Sequence, residues 1–158
     1  MDVPDLKGPD TETILAALAH AGLKRTHPRE VIAAYVAQKG TENLDFTIEN
    51  LCHEVRTRHV DFARVTAFRV IECLVQLGIV DRLTFPDGAI RYHVGKGSIR
   101  HYLTCDHCHK VVELHLGFVP PLLDSIMQLS GFVRTNHPVE IPGRCPDCQE
   151  HEDRERKK

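Results

Sequence analysis

The sequence predicts an α+β chain in two parts, and three observations predict it. The first half carries four apolar stripes at helical spacing and closes on a short hairpin. A Gly95-Lys96-Gly97 break follows. The second half mixes short strand-like runs with one helix and holds two Cys-x-x-Cys pairs, Cys105/Cys108 and Cys145/Cys148. Short helices followed by a small hairpin is the winged-helix pattern. The expected organisation is therefore a winged helix over residues 1–94, a hinge at 95–97, a small α/β unit over 98–149 and a charged tail over 150–158.

Each element has a local reason. From Thr11 to Ala21, Ile14, Leu18 and Ala21 recur at i, i+4 and i+7, and Gly22 supplies the stop. Pro28 suits the first turn of a second helix, with Val31, Ile32, Tyr35 and Val36 inward and Gly40 read as its end. Thr47 is placed to cap a third, striped by Ile48, Leu51, Cys52 and Val55. Asp61 is read as the cap of a fourth helix running to about Leu77, with Ala67, Val70, Ile71 and Leu74 inward and Gly78 closing it. Ile79–Thr84 and Ala89–Val94 read as strands around the turn Phe85-Pro-Asp-Gly88. Beyond the hinge, strands are expected at Ile99–Thr104 and Val111–Leu114. A helix led by Pro120-Pro121 ends at Gly131, and a further strand covers Phe132–Ile141. The tail EHEDRERKK reads as a frayed end.

The cysteine spacing is the strongest chemical signal. Thiolates two residues apart clamp one ion from a single turn, and two such pairs supply the four soft ligands of a closed tetrahedral zinc site. A four-cysteine set leaves no open position, which makes the site structural. Two disulfides, or four unrelated core thiols, are the competing reading. The N-terminus is acidic and lacks an apolar core, so it is no secretory signal. Six cysteines in such a chain point to a reducing, cytoplasmic compartment and to metal. No apolar run approaches membrane-spanning length, so no membrane partner is expected. Cys52 and Cys73 fall in helical patterns and read as buried thiols.

Net charge is −2, so bulk charge does not advertise a nucleic-acid partner. Local clusters do exist, at Lys24, Arg25 and Arg29 and at Arg56, Arg58, Arg64 and Arg69. The fourth helix also has an unusual outer face of Phe62, Val65, Phe68, Arg69 and Glu72. Apolar groups beside an arginine suit a DNA major groove, where arginine bonds guanine and apolar groups touch thymine methyls.

At this point several runs resemble those of one known family. Gly22-Leu-Lys-Arg-Thr-His-Pro-Arg29 resembles the exit of its first helix. Val65-Thr-Ala-Phe-Arg-Val-Ile71 is similar to its Ala-Thr-Val-Tyr-Arg recognition helix, and Leu77-Gly-Ile-Val80 to that helix's exit. His101-x3-Cys-x2-Cys108 with Lys110-Val-Val-Glu113 resembles its first knuckle. Asn136-His137, Gly143 and Cys145-x2-Cys148 resemble its last strand and second knuckle. The family so resembled is that of the ferric uptake regulator (Fur) proteins. The resemblance spans roughly residues 12–148 and implies a dimeric, metal-dependent winged-helix repressor of metal-uptake or peroxide-stress genes. It implies double-stranded promoter DNA with a palindromic operator as partner. Lys24, Arg25, Arg29, Arg64, Val65, Thr66, Phe68 and Arg69 become the expected contacts.

The resemblance also implies a regulatory divalent ion, Fe2+, Mn2+ or Zn2+, between the two domains. Carried onto this chain, its ligands are Asp45, His93, His101 and Glu113. Nitrogen and oxygen donors suit those ions. An ion bonded to both domains would restrain the hinge and hold two recognition helices at one half-site spacing. The chain departs from the family pattern in several places. The recognition-helix tyrosine is Phe68. The histidine-rich run before the first knuckle reads Ser98-Ile-Arg-His-Tyr-Leu-Thr104, where Arg100 and Tyr102 fill places beside His101. An acidic auxiliary ligand falls near Pro120, which leaves His137 as an auxiliary ligand without that partner.

Two other classes compete. His137-Pro-Val-Glu140 ahead of Cys145-Pro-Asp-Cys148 superficially matches the zinc deaminase pattern, but Glu140 is one position too far and the second Cys pair closes the site. No enzyme is expected. A zinc-ribbon interaction module without DNA binding is the other alternative, and the winged-helix half argues against it.

Overall fold

The structure is a computed structural model that describes residues 8–58, 61–95, 100–114, 116–133, 135 and 137–156, with the backbone alone at 153. Its elements fall into two compact units. One comprises residues 4–84 and 89–96, and the other residues 97–158 with Phe85–Gly88. Residues 96–97 of the expected hinge lie outside the described residues.

The first unit opens with α1 (Thr11–His20), whose N-terminus is capped by Asp10: the Thr13 amide donates to Oδ1 at 2.8 Å. Gly22 leaves the helix at φ +86°, a conformation that favours glycine. Helix α2 (His27–Glu42) takes Pro28 in its first turn, as expected, but Gly40 does not end it. The helix runs on to Glu42 and is closed by Asn43 in the left-handed region. Gly40 is instead a packing position. A Cβ there would meet Val94 Cγ1 at 2.9 Å, closer than real Cβ contacts come. Gly40→Ala should therefore force α2 away from the hairpin and lower stability by about 1–3 kcal/mol. A urea denaturation midpoint equal to wild type would show that Val94 yields freely.

Helix α3 (Ile48–Thr57) begins on a reciprocal cap between Thr47 and Asn50 and buries its predicted stripe of Ile48, Leu51, Cys52 and Val55. Helix α4 (Arg64–Gln76) starts later than Asp61 suggests, with Ala63 at its N-cap and no side-chain cap. Asp61 is exposed, and the residues after it turn Phe62 against the core instead of starting the helix. The inward stripe of Ala67, Val70, Ile71 and Leu74 is buried. Strands β1 (Val80–Thr84) and β2 (Ile90–Val94) pair antiparallel, and the Gly88 amide closes the turn on the Phe85 carbonyl at 2.9 Å. Phe46 extends this ribbon by exchanging both backbone bonds with Tyr92, at 2.9 and 2.8 Å. That bridge carries Asp45 to the edge of β2.

The second unit is a three-stranded sheet of order β4-β3-β5. It is built from β3 (His101–Cys105), β4 (Val111–Leu114) and β5 (Val139–Gly143), with α5 (Val119–Ser130) between β4 and β5. β4 runs antiparallel to β3 and β5 parallel to it. The expected strand over Phe132–Ile141 is shorter and later. Pairing is limited to the five residues that β3 offers, and Phe132 and Val133 lie exposed outside it. Through Arg156 the charged tail is helical and not frayed. Helix α6 (Pro146–Arg156) starts inside the second Cys pair and carries the chain on, helped by an Arg144–Glu152 ion pair and an Arg154–Glu150 pair at 3.4 Å. No residue of α5 is buried, an unusual state for an apolar helix.

Candidate metal centre and nucleic-acid face

The two Cys-x-x-Cys pairs converge. Cys105 and Cys108 sit at the end of β3 and in the turn after it, while Cys145 and Cys148 flank the start of α6. Their four sulfurs lie within 4.8 Å of one another, with Cys105–Cys148 at 3.9 Å and Cys108–Cys145 at 3.6 Å. A tetrahedral ion with sulfur at about 2.3 Å requires edges of about 3.8 Å, so the set fits such an ion. A disulfide needs sulfurs at about 2.05 Å, and all six cysteines are free.

The surroundings favour the thiolate at Cys105 and oppose it at Cys108 and Cys148. Burial pushes the Cys105 thiol up, but the amides of Cys108, Cys145 and His107 outweigh it and leave the thiol at about 6. The Cys145 amide donates to Cys105 Sγ at 3.4 Å. Burial, with the Cys145 and Cys108 thiols beside it, pushes Cys148 up to about 12. Four close sulfurs cannot all ionise alone; a dication would draw off the remaining protons. Outside the sulfurs, Lys110–Asp147 at 3.1 Å and Arg144–Asp106 at 3.3 Å tie the two knuckles together. Among the described residues this is the one group of three or more ligand side chains gathered at such distances.

The outer face of α4 divides into what turns in and what stays out. Phe62 packs against the core, and Glu72 accepts the Tyr92 hydroxyl at 3.3 Å beside Arg82 at 3.7 Å. Both leave the expected reading face. Val65 and Phe68 remain outside, 53% and 46% exposed, and with Ile48 and Arg64 they line a shallow hollow. Arg69 is exposed and has no hydrogen bond or ion pair among the described residues. Arg64 is ion-paired with Glu49. Thr66 is half-buried, its amide on the Ala63 carbonyl. Of the first basic cluster, Lys24 is exposed. Arg25 is gripped by Glu12 at 3.0 Å and Glu30 at 2.5 Å, and Arg29 donates to the Lys24 carbonyl.

The expected sensor ligands are placed as follows. Asp45, half-buried, is ion-paired with Arg91. His93 on β2 is buried and stands directly across the hairpin from buried Asp81, a carboxylate that sequence reading passed over. Only the ladder register reveals that pairing. His101 on β3 is buried and opposes Leu114, whereas Glu113 on β4 opposes Tyr102. Directly opposed residues share a face, so His101 and Glu113 point to opposite faces of their sheet. His137 is exposed, and Pro120 lies in the first turn of α5.

A winged helix followed by a small α+β unit with a four-cysteine centre defines a class of metal-dependent transcription regulators. The chain belongs to the ferric uptake regulator family, whose family model matches residues 20–142. It is 30% identical over 135 residues to the ferric uptake regulation protein of Neisseria gonorrhoeae, covering 85% of this chain and 92% of that one. It is 26% identical to the peroxide-responsive repressor PerR of Staphylococcus epidermidis, over 89% of this chain and 91% of the relative. The fold matches the solved structure of the Helicobacter pylori ferric uptake regulator with a TM-score of 0.73 at 18% identity, over 90% of this chain and 96% of that one. Among the described residues no helix is long and apolar enough to cross a membrane.

Proposed function

We propose that the protein is a metal-responsive repressor that binds a palindromic operator in double-stranded promoter DNA as a homodimer. The observation that carries this is the outer face of α4. Val65 and Phe68 stand exposed beside an arginine with no partner among the described residues, on the helix whose other side is fixed in the core. Arg69 reads a base edge, and Val65 and Phe68 meet thymine methyls. Arg64 and Lys24 supply phosphate contacts, for which Arg64 must leave Glu49. Arg25 and Arg29 brace the chain between α1 and α2.

Operator binding by the Arg69→Ala variant should weaken by about 1–3 kcal/mol, with binding to unrelated DNA little changed. If Arg69 only neutralises a phosphate, the loss should be equal on every sequence and the salt slope should fall by about one unit. Fluorescence anisotropy with operator and scrambled duplexes across a salt series separates these results. Unchanged binding on both would remove α4 as the reader.

One Zn2+ per chain holds the cysteine set, and with every position filled that centre has no place for a substrate. A second divalent ion, Fe2+, Mn2+ or Zn2+, acts as the signal, drawing on Asp45, His93 and one of His101 and Glu113, since those two face opposite sides of their sheet. Imidazole and carboxylate are the donor chemistry those ions take. The His93→Ala and His101→Ala variants should retain zinc and dimer but lose metal-stimulated operator binding. A wild-type metal response in both would move the sensor elsewhere, with His137 the next residue to test.

A further inference from the structure

The turn between β1 and β2 is held by a residue of the first cysteine knuckle. By its contacts Phe85–Gly88 belongs with the cysteine-bearing unit, while the strands on either side belong with the first unit. Phe85 is only 3% exposed yet packs outside the apolar core of the first unit. Its ring lies against the imidazole of His109, with centroids 4.6 Å apart and planes tilted by 55°. Two residues on, Asp87 Oδ2 accepts a hydrogen bond from His109 Nε2 at 2.7 Å. One imidazole therefore grips the turn through both its ring and its polar edge.

His109 directly follows Cys108, and its backbone is part of the knuckle. Its amide donates to the Cys105 carbonyl at 3.0 Å, and the Cys105 amide donates to the Lys110 carbonyl at 2.9 Å. His109 makes these bonds at φ +61°, in the left-handed region that glycine enters with less strain. Such a conformation persists in a residue with a side chain where the surroundings hold it. Phe85 and Asp87 are those surroundings here. We propose that His109 is a latch that fastens the β1–β2 turn to the first knuckle and couples that hairpin to zinc in the cysteine set. This rests on the reading of the four cysteines as a zinc site. When the ion leaves, Cys108 is released, the His109 ring turns away and Phe85 loses its cover. The converse follows by reciprocity: a turn that grips His109 holds the knuckle closed and tightens the binding of the ion. The hairpin of the winged helix thus reports whether the cysteine set is filled.

The test uses the zinc-loaded, full-length protein and reads each variant on the far side of the contact. Asp87→Ala leaves the knuckle's own residues in place, so its effect is read at the metal. Equilibrium competition with a chromophoric chelator should show zinc held about three- to tenfold more weakly than in wild type, the contribution of one such bond. His109→Gly suits the left-handed backbone and leaves the turn's residues in place, so its effect is read at the turn. It should keep one zinc per chain, while the amides of Asp87 and Gly88 exchange with solvent about three- to tenfold faster and the flanking strands stay protected. A purely local role for either residue moves neither far-side reading. Wild-type zinc affinity in Asp87→Ala, or wild-type exchange at the turn in His109→Gly, overturns the latch and leaves the zinc reading standing. Wild-type protein that takes up no zinc would overturn that reading, and this inference with it.

Discussion

Cys148→Ser is expected to abolish the proposed zinc site and to unfold residues 100–156 in the same event. A structural zinc held by thiolates contributes about 10–16 kcal/mol of apparent binding free energy, which is folding free energy when the site forms only in the native state. A domain's whole margin is about 5–15 kcal/mol. The unit around the cysteines has little else to draw on. Its sheet has three short strands, no residue of α5 is buried, and α6 begins inside the second Cys pair. Cys105 and Cys148 are themselves among its few buried residues. Losing one sulfur leaves three ligands, releases α6 from β3 and exposes that small core. Metal analysis should show the loss of one zinc per chain, and the second unit's amide protons should exchange with solvent while the winged helix keeps its protection. Cys52→Ser lies in the other unit and should keep the metal. A Cys148→Ser protein that is metal-free, folded and dimeric would overturn the structural role of the centre.

The chemistry of that centre was legible from spacing alone, because Cys-x-x-Cys geometry is local and the pairing of two such turns has one economical solution. Helix identities were legible for the same reason. The stripes of α3 and α4 are periodic over several turns, and the Thr47 cap and the exits at Gly22, Gly78 and Gly131 are local backbone chemistry. What failed was set by tertiary contact. Gly40 looks like a terminator in sequence, yet the structure uses its missing Cβ to admit Val94. Asp61 has the right chemistry for a cap but stands too early, since Phe62 is drawn to the core. Glu72 looks outward on a helical wheel and is taken inward by Tyr92. The candidate sensor residues were named by resemblance, and no periodicity could say which face of a strand each would share. The register separates His101 from Glu113 and joins Glu113 to Tyr102, information that exists only once strands are paired. The same holds for Asp81 opposite His93.

The second large effect is expected at α5. Leu122, Ile126 and Leu129 recur at i, i+4 and i+7, and they are 55%, 48% and 90% exposed. Phe132 and Val133 follow at 73% and 89%, and Leu103, Val112 and Ile141 stand about two-fifths exposed on a single face of the sheet. Exposed apolar surface of this extent marks an interface. In the proposed homodimer a second copy presents the same surface and covers it, as a two-fold interface requires. Ile126→Glu should place an unpaired carboxylate in that buried interface and convert the dimer to monomer, with metal content unchanged because the cysteines are untouched. The effect on DNA should be larger than that of any single base contact. A dimer binds its second half-site as an intramolecular step, which is worth about 10²–10⁴ in affinity when the geometry allows both to engage. Operator binding should fall by about that factor, while binding to an isolated half-site should hardly change. Sedimentation equilibrium gives the first result and anisotropy with full and half operators the second. An Ile126→Glu protein that stays dimeric would put the interface on another surface. A monomer that binds the full operator like wild type would show that the two recognition helices never act together.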